Sequence, residues 1–315
     1  DWERAWEIGN QALTIVRESG DLAGEAETLG MLIATLQPQA KFDEALLLFD
    51  RVLEISRKLN DRDKLSEALK NMGVAYSRKG DYGRALELYD EAIEVARSAQ
   101  NLSMEAACLS NIGNVHYFKG DLQSAVRYYG EALSINSKLG AQTGSARQSL
   151  NLGLIHLQQG TMEEGLEMLR TAATFFEALG DKANLSLTMS NISQACLTLG
   201  MVDDAQSAAE RSLTLALEIN HPLAESAANH RLGAISLFRD EFESASKYLH
   251  QSLETARASG MSRNVAGLEV ELAGLHFRKG EFENAKKHAN RAQALAKEIE
   301  DKVTHCQAAA YLGAL

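Results

Sequence analysis

The stretch SMEAACLSNIGNVHYFKGDLQSAVRYYGEALSINSKLG, residues 103–140, decides the fold because its pattern recurs along the chain every 40 residues. Glycine returns at one phase of this repeat, where Asp240 fills a single gap: Gly80, Gly120, Gly160, Gly200 and Gly280. The spacing is uninterrupted from the second repeat onward. A repeat of this length predicts a solenoid, in which each unit buries its core against its neighbours.

Each repeat divides into two halves of 20 residues with a break at both joints, as in Gly120-Asp121 at the first joint and Gly180-Asp181 at the second. A glycine in the left-handed conformation ends one helix, and an acidic residue caps the next. The pattern therefore predicts an all-α chain with two helices of about 16 to 18 residues per repeat. The first repeat departs from it, because Pro38 should end the first helix near Leu36.

Within each repeat, apolar residues return at helical spacing beside positions reserved for small residues. The first helix carries Leu109, Ile112 and Val115 next to Gly113, and the second helix carries Ala125. Small residues on both helices allow close packing as an antiparallel hairpin, and stacking of identical hairpins buries what remains exposed.

The residues Leu109, Gly113, Ala125, Tyr129 and Ala132, repeated as Leu69, Gly73, Ala85, Tyr89 and Ala92, resemble the tetratricopeptide repeat. The 40-residue spacing is similar to the variant in Pins/LGN spindle-orientation adaptors and bacterial signalling proteins. This resemblance implies a right-handed superhelical solenoid of helix hairpins that acts in protein interaction. The motif residues are packing residues, so they do not name a partner.

By phase, residues 1–315 form a single solenoid. Residues 1–21 are the second helix of a truncated repeat, residues 22–301 are seven full repeats, and residues 302–315 begin an eighth. Because solenoids normally finish in polar caps, we expect the chain to be a fragment of a larger protein.

Composition restricts the partners. The net charge of −11 argues against nucleic acid and anionic membranes, and no apolar run approaches a membrane span. Cys108, Cys196 and Cys306 are odd in number and widely spaced, which favours a reducing compartment, so we predict a cytoplasmic protein.

Four asparagines occupy one phase of successive first helices: Asn71, Asn111, Asn151 and Asn191. Asparagine is a mediocre helix former, but its amide offers an acceptor and two donors, which suits it to holding a peptide backbone. In tetratricopeptide domains this position lines the concave face, so the resemblance implies a peptide-binding ladder. The alternative is that each amide bonds a neighbouring helix or meets water.

Residues at helical spacing from this ladder complete the predicted partner-binding face. Asn114, Gln194 and Phe118 make it amide-rich and partly apolar, while three arginines could meet scattered acidic groups of a ligand: Arg78, Arg147 and Arg231. An extended peptide with some apolar side chains fits this face.

No catalytic residue, metal or cofactor is predicted, since phosphate-binding, nucleophile-elbow and zinc-protease motifs are all lacking. One phase of the repeat is shared by His116, His156 and Cys196. Successive hairpins lie about 8 to 10 Å apart, however, which is too far for these side chains to bind the same zinc ion. We interpret that phase as a packing position. Cys108 and Cys306 are predicted to be small buried hydrophobes.

The sequence thus predicts a non-enzymatic protein-interaction scaffold that binds a protein or peptide partner in its concave groove. Two alternatives stay open. The chain could be a regulatory or sensor segment of a larger signalling protein or enzyme, or a module that self-associates through uncapped ends.

Overall fold

The computed structural model describes residues 2–315, and within that range the protein is built from helices without a strand. We call the helices that begin at Leu22 and every second one after it first helices, and those between them second helices. They are α1 (Trp2–Glu18), α2 (Leu22–Leu36), α3 (Phe42–Lys58), α4 (Arg62–Lys79), α5 (Tyr82–Ser98), α6 (Leu102–Phe118), α7 (Leu122–Leu139), α8 (Gln142–Gln159), α9 (Met162–Ala178), α10 (Lys182–Thr198), α11 (Val202–Glu218), α12 (Pro222–Phe238), α13 (Phe242–Ala258), α14 (Ser262–Arg278), α15 (Phe282–Glu298) and α16 (Lys302–Ala314).

The helix boundaries follow from local chemistry, and the predicted all-helical class is confirmed. Gly80 takes a φ of 86° after α4, and the side chain of Asp81 accepts a hydrogen bond from the backbone nitrogen of Arg84 at 3.1 Å. Leu36 ends α2 and is followed by a short 3-10 helix, Gln37–Gln39, so the predicted effect of Pro38 is also confirmed.

Consecutive helices pack in pairs as expected of a tetratricopeptide-like solenoid, and the chain forms two compact units. The first unit ends at Gln148 and the second begins at Ser149.

In α4 and α6 of the first unit, a glycine makes room for a large side chain of the second helix. A Cβ atom added at Gly113 would lie 2.7 Å from two ring carbons of Tyr129, and one at Gly73 would lie 2.6 Å from the ring of Tyr89. The alanines at the matching positions, Ala85 and Ala125, are fully buried. The glycines are therefore packing residues, as predicted.

In the second unit, serine performs part of this role. The hydroxyl of Ser193 stands at the glycine position and donates to the carbonyl oxygen of Ala205 at 2.7 Å. Ser186 on α10 and Ser212 on α11 each donate to the other's carbonyl oxygen at 2.7 Å. Small hydroxyl side chains thus satisfy their own polar atoms while the two helices stay close.

The prediction that both Cys108 and Cys306 are buried is wrong for Cys306. Cys108 is fully buried, whereas Cys306 is exposed. Equivalent residues such as Ser186 pack on the second helix of their own repeat. Residues 302–315 contain a first helix alone, and within residues 2–315 no second helix of that repeat packs on Cys306.

Candidate peptide-binding faces

In the first unit, the amides of Asn71 on α4 and Asn111 on α6 lie at the same phase of neighbouring first helices. Both side chains are half-buried. Within residues 2–315 neither amide makes a hydrogen bond, and neither belongs to the buried polar atoms that lack one. Both amides are therefore open to water and available to a ligand.

Asn114 is placed differently from these two. Its side-chain oxygen accepts a hydrogen bond of 2.6 Å from the hydroxyl of Tyr129, whose pKa is raised by burial. The acceptor of Asn114 is thus occupied within the fold, and its NH2 group is the part left for a partner.

The other predicted residues of the first unit are exposed. Phe118 ends α6 with 65% of its surface in water, and Arg78 and Arg147 are exposed on α4 and α8. Neither arginine takes part in an ion pair in the described part of the chain. We call Asn71, Asn111, Asn114, Arg78, Arg147 and Phe118 the amide face of the first unit.

In the second unit, Asn151 on α8 and Asn191 on α10 are again half-buried, and Gln194 is exposed. No side-chain hydrogen bond joins any of these three amides to another residue of the range 2–315. Together with Arg231 they form the amide face of the second unit.

Arg231 on α12 is half-buried. Its Nε atom is buried without a hydrogen-bond partner among the described residues. Burial lowers the pKa of Arg231, although the charge of Glu271 acts in the opposite direction and raises it. Burial, together with the charge of Arg231, lowers the pKa of His230 to about 4. At neutral pH His230 is therefore uncharged, and Arg231 is the cation of this region.

Sequence reasoning missed a pocket in the first unit. It lies between α2 and α4 and has a volume of about 990 Å³. Its lining residues are mostly small or apolar, with charges at the edge: Ala26, Glu27, Gly30, Met31, Ile33, Ala34, Pro38, Phe49, Val52, Lys64, Glu67, Ala68, Asn71 and Arg78. The pocket includes Asn71 and Arg78, so it adjoins the amide face of the first unit.

Family models described as tetratricopeptide repeat match residues 24–98, 106–139 and 145–218, which together make up more than half of the chain. The chain belongs to the tetratricopeptide repeat family. A model of anaphase-promoting complex subunit 5 matches residues 233–315. The comparison with curated proteins gives no match.

Solved structures with a fold similar to that of this tetratricopeptide repeat chain include RapI, PH0952 and a Rap conjugation gene regulator. The apo form of RapI has a TM-score of 0.69 at 11% identity, with 88% of this chain and 99% of that one covered. The signal transduction ATPase PH0952 from Pyrococcus horikoshii, which has a tetratricopeptide repeat sensor, has a TM-score of 0.68 at 15% identity. The match covers 98% of this chain and 50% of that one. The Rap conjugation gene regulator of the plasmid pLS20, in complex with the Phr* peptide, has a TM-score of 0.60 at 18% identity. The match covers 90% of this chain and 77% of that one. At these identities the likeness shows the fold alone.

The histidine phase of the tetratricopeptide repeats serves to hold local turns. The Nδ1 atom of His116 lies 3.0 Å from Oδ2 of Asp121, and that of His276 lies 2.6 Å from Oε2 of Glu281. Each contact links the last turn of a first helix to the residue that precedes the next helix. Among residues 2–315, no three His, Cys, Asp or Glu side chains are grouped in a way that could hold a metal ion.

The second unit also contains a buried charge that the repeat pattern does not predict. Glu269 is fully buried on α14, where the equivalent positions of α4 and α6 carry Leu69 and Leu109. It forms an ion pair with Arg257, and Nδ1 of His288 lies 2.6 Å from its Oε2.

Proposed function

We propose that this chain is a non-catalytic protein-interaction scaffold that binds an extended peptide segment of a partner through the amide faces of its first helices. The observation that carries the proposal is the repetition of unpaired, half-buried amides at one phase, Asn71 with Asn111 in one unit and Asn151 with Asn191 in the other. Because such amides cost helix stability, a ligand that uses them accounts for their repetition.

The geometry of neighbouring first helices suits an extended backbone. Helices in contact lie about 8 to 10 Å apart, and an extended chain advances about 3.3 Å per residue. Asn71 and Asn111 would thus meet peptide groups about three residues apart. Each amide can donate to a carbonyl oxygen and accept from a peptide N–H.

The comparisons support a role in interaction or regulation. A Rap regulator of similar fold was solved with a peptide, and the fold of this chain is that of a family used widely for binding. Among residues 2–315, no helix is both long enough and apolar enough to span a membrane. We propose a cytoplasmic location, supported by the three free thiols, Cys108, Cys196 and Cys306.

The experiment selects random dodecapeptides displayed on phage against the wild-type protein and titrates the strongest binder, labelled with fluorescein. Two double variants are compared, Asn71→Ala with Asn111→Ala, and Asn151→Ala with Asn191→Ala. The unit that holds the peptide should show a loss of about 0.5–1.5 kcal/mol per hydrogen bond, or about 5- to 150-fold in Kd for two.

The matched control is Asn290→Ala, an exposed asparagine on the second helix α15. It makes the same chemical change away from both amide faces and should leave binding unchanged. Folding of all variants, checked by circular dichroism, should be intact because alanine is the better helix former. Binding within two-fold of wild type in both double variants would contradict the proposal.

A sensor segment is the second candidate, and Arg231 is the observation that favours it. A buried Nε without an acceptor is an unsatisfied donor, with which an anionic group of an effector would form a hydrogen bond. The test is a thermal-shift screen of carboxylate and phosphate compounds against wild type and Arg231→Leu. A compound that stabilises the wild type and not the variant supports the sensor function. If the screen finds no such compound, the sensor function is excluded.

A further inference from the structure

We infer that the pocket between α2 and α4, here called the anchor pocket, holds one large apolar side chain of the partner segment. That side chain would be flanked by a basic residue on one side and an acidic residue on the other. This inference rests on the proposed function, because it assigns a sequence preference to the peptide bound at the amide face of the first unit.

At the anchor pocket, two positions that are joined by a hydrogen bond between α6 and α8 carry almost no side chain. Farther along the first unit, Ser110 on α6 and Gln148 on α8 fill these positions and are joined by a hydrogen bond of 2.9 Å. The same two phases hold Gly30 on α2 and Ala68 on α4. Without side chains to meet between them, the helices leave an open gap.

The inner surface of the anchor pocket is suited to an apolar group. Phe49 and Val52 of α3 are buried beneath it, and Ile33 of α2 is 3% exposed. A volume of about 990 Å³ is at the upper end of the range of about 300–1,000 Å³ typical of ligand pockets, so a leucine or phenylalanine enters together with its backbone. Met31 is 62% exposed at the edge, where a flexible thioether can cover the inserted side chain.

The charges at the two ends of the anchor pocket differ. One end has Glu27, Glu67 and Lys64, a net negative set, and the other has Arg78. None of these four side chains forms an ion pair within residues 2–315. A ligand that is basic at one end and acidic at the other is therefore complementary to both.

The distance between the ends fixes the ligand's length. Glu67 and Arg78 are 11 positions apart on α4, so they are separated by about 16 Å along the helix axis. An extended peptide covers this distance in about five residues. The pattern is thus a basic and an acidic residue about five positions apart, in either order along the peptide, with the apolar residue between them.

A peptide fits these observations better than a compact small molecule does. Asn71 is part of the pocket lining and also of the amide face, so a peptide that runs along α4 in the anchor pocket turns at Asn71 to cross towards Asn111. The charged residues of the pocket lie about 16 Å apart. A peptide can place a complementary charge on each side of its apolar residue, whereas a small apolar molecule carries no such charges.

Gly30 provides a variant that fills the anchor pocket without disturbing the fold. It lines the pocket within α2, and a Cβ atom added there would have no atom within 4 Å. Gly30→Leu therefore places a side chain in the open space and also improves helix propensity. Gly30→Ala gives most of the gain in propensity with little added volume.

Gly130→Leu is the control for the substitution itself. Gly130 is also a helical glycine of the first unit with open space at its Cβ position, but it lies on the second helix α7, outside the anchor pocket. Gly30→Leu, Gly30→Ala and Gly130→Leu should all fold at least as stably as the wild type.

The experiment takes the fluorescein-labelled dodecapeptide selected against the wild-type protein and measures its Kd for each variant. We expect a basic–apolar–acidic pattern in the selected peptides and a loss of about 10- to 100-fold with Gly30→Leu, the affinity that burial of one leucine-sized side chain supplies. Gly30→Ala and Gly130→Leu should bind within about two-fold of wild type. Replacing the peptide's apolar anchor by alanine should weaken binding to the wild type and have little further effect on Gly30→Leu.

The outcomes separate this inference from the proposed function. A peptide that is weakened by Asn71→Ala with Asn111→Ala but binds Gly30→Leu like wild type leaves the proposed function standing and overturns the anchor pocket. A peptide sensitive to neither change overturns both for this unit. If a dimer in sedimentation is dissociated by Gly30→Leu, a second copy occupies the pocket. If Gly30→Leu abolishes binding of the amphiphilic dye anilinonaphthalene sulfonate but leaves the Kd of the peptide unchanged, the occupant is a small molecule. Either result overturns the peptide assignment.

Discussion

The buried charge of Glu269 makes the sharpest prediction about stability. Glu269 is fully inaccessible to water, and its partners are Arg257, which is 49% exposed, and the buried His288. His288 in turn stacks on His276, with ring centroids 5.1 Å apart. In α4 and α5 the same two positions carry Leu69 and Leu88, both buried. The protein has therefore replaced an apolar pair with a polar one.

The perturbation is a double-mutant cycle of Glu269→Leu and His288→Leu. His288→Leu alone leaves a buried carboxylate paired only with a half-exposed arginine, and should cost about 3 kcal/mol, the lower end of the ~3–5 kcal/mol for breaking a buried pair. Glu269→Leu alone leaves the imidazole without its acceptor and should cost about 1–3 kcal/mol. The double variant restores an apolar pair and should be as stable as the wild type or more stable by about 1–4 kcal/mol.

The assay is native-state hydrogen exchange of the amides in α14 and α15, because repeat proteins open locally and a single global unfolding energy is not well defined. The singles should lose protection in these two helices, and the double variant should recover it. A coupling energy below about 0.5 kcal/mol would refute the reasoning, since residues in one buried network are expected to couple more strongly.

The same cycle predicts a pH dependence. Burial raises the pKa of Glu269, but the hydrogen bond from His288 and the charges of His288, Arg257 and Arg291 outweigh it and hold the pKa below its ordinary value of 4.5. A carboxyl with a depressed folded-state pKa contributes stability that is fully present above 4.5 and lost as the pH falls through the folded-state pKa. Protection of α14 should therefore fall in acid below pH 4.5 in the wild type and less steeply in the double variant.

Three further predictions concern packing, backbone and thiols. Gly113→Leu should lower the free energy of opening of α6 and α7 in native-state hydrogen exchange by about 1–3 kcal/mol, because its Cβ would lie 2.7 Å from the Tyr129 ring. Ala40→Gly should raise stability by about 0.5–1 kcal/mol, since Ala40 has a φ of 56° and glycine takes that conformation without strain. Cys306 is exposed and should react with a thiol reagent in the native protein, whereas Cys108, whose pKa is raised to about 12 by burial, should react only after unfolding.

Each of these has a matched control in the chain. Gly130→Leu meets no atom within 4 Å and should not destabilise the protein as Gly113→Leu does. Asn60→Gly changes a residue of φ 53° that tolerates this conformation, so its effect should stay within about 0.5 kcal/mol. Cys196 is buried and should be protected like Cys108. Equal effects of Gly113→Leu and Gly130→Leu, or of Ala40→Gly and Asn60→Gly, would contradict the first two predictions. Equal reactivity of Cys306 and Cys196 in the native protein would contradict the third.

The repeated position of the asparagines could be predicted from the sequence. The hydrogen bonding and burial of each side chain in the candidate site could not. Periodicity alone places Asn71 and Asn111 on equivalent turns of successive first helices. That Asn114 has its acceptor occupied by Tyr129, and that Arg231 is buried at Nε, depends on which side chains of other helices approach. Single-chain spacing carries no information on these approaches.

The sequence by itself determined the helices, their ends and their pairing, because a 40-residue period, left-handed glycines such as Gly80 and caps such as Asp81 act through neighbours along the chain. Tertiary structure alone decided the anchor pocket and the buried charge of Glu269. A gap appears only when Gly30 and Ala68, 38 positions apart, face each other with nothing between. A carboxylate survives at a leucine position only because Arg257 and His288 converge on it from two other helices.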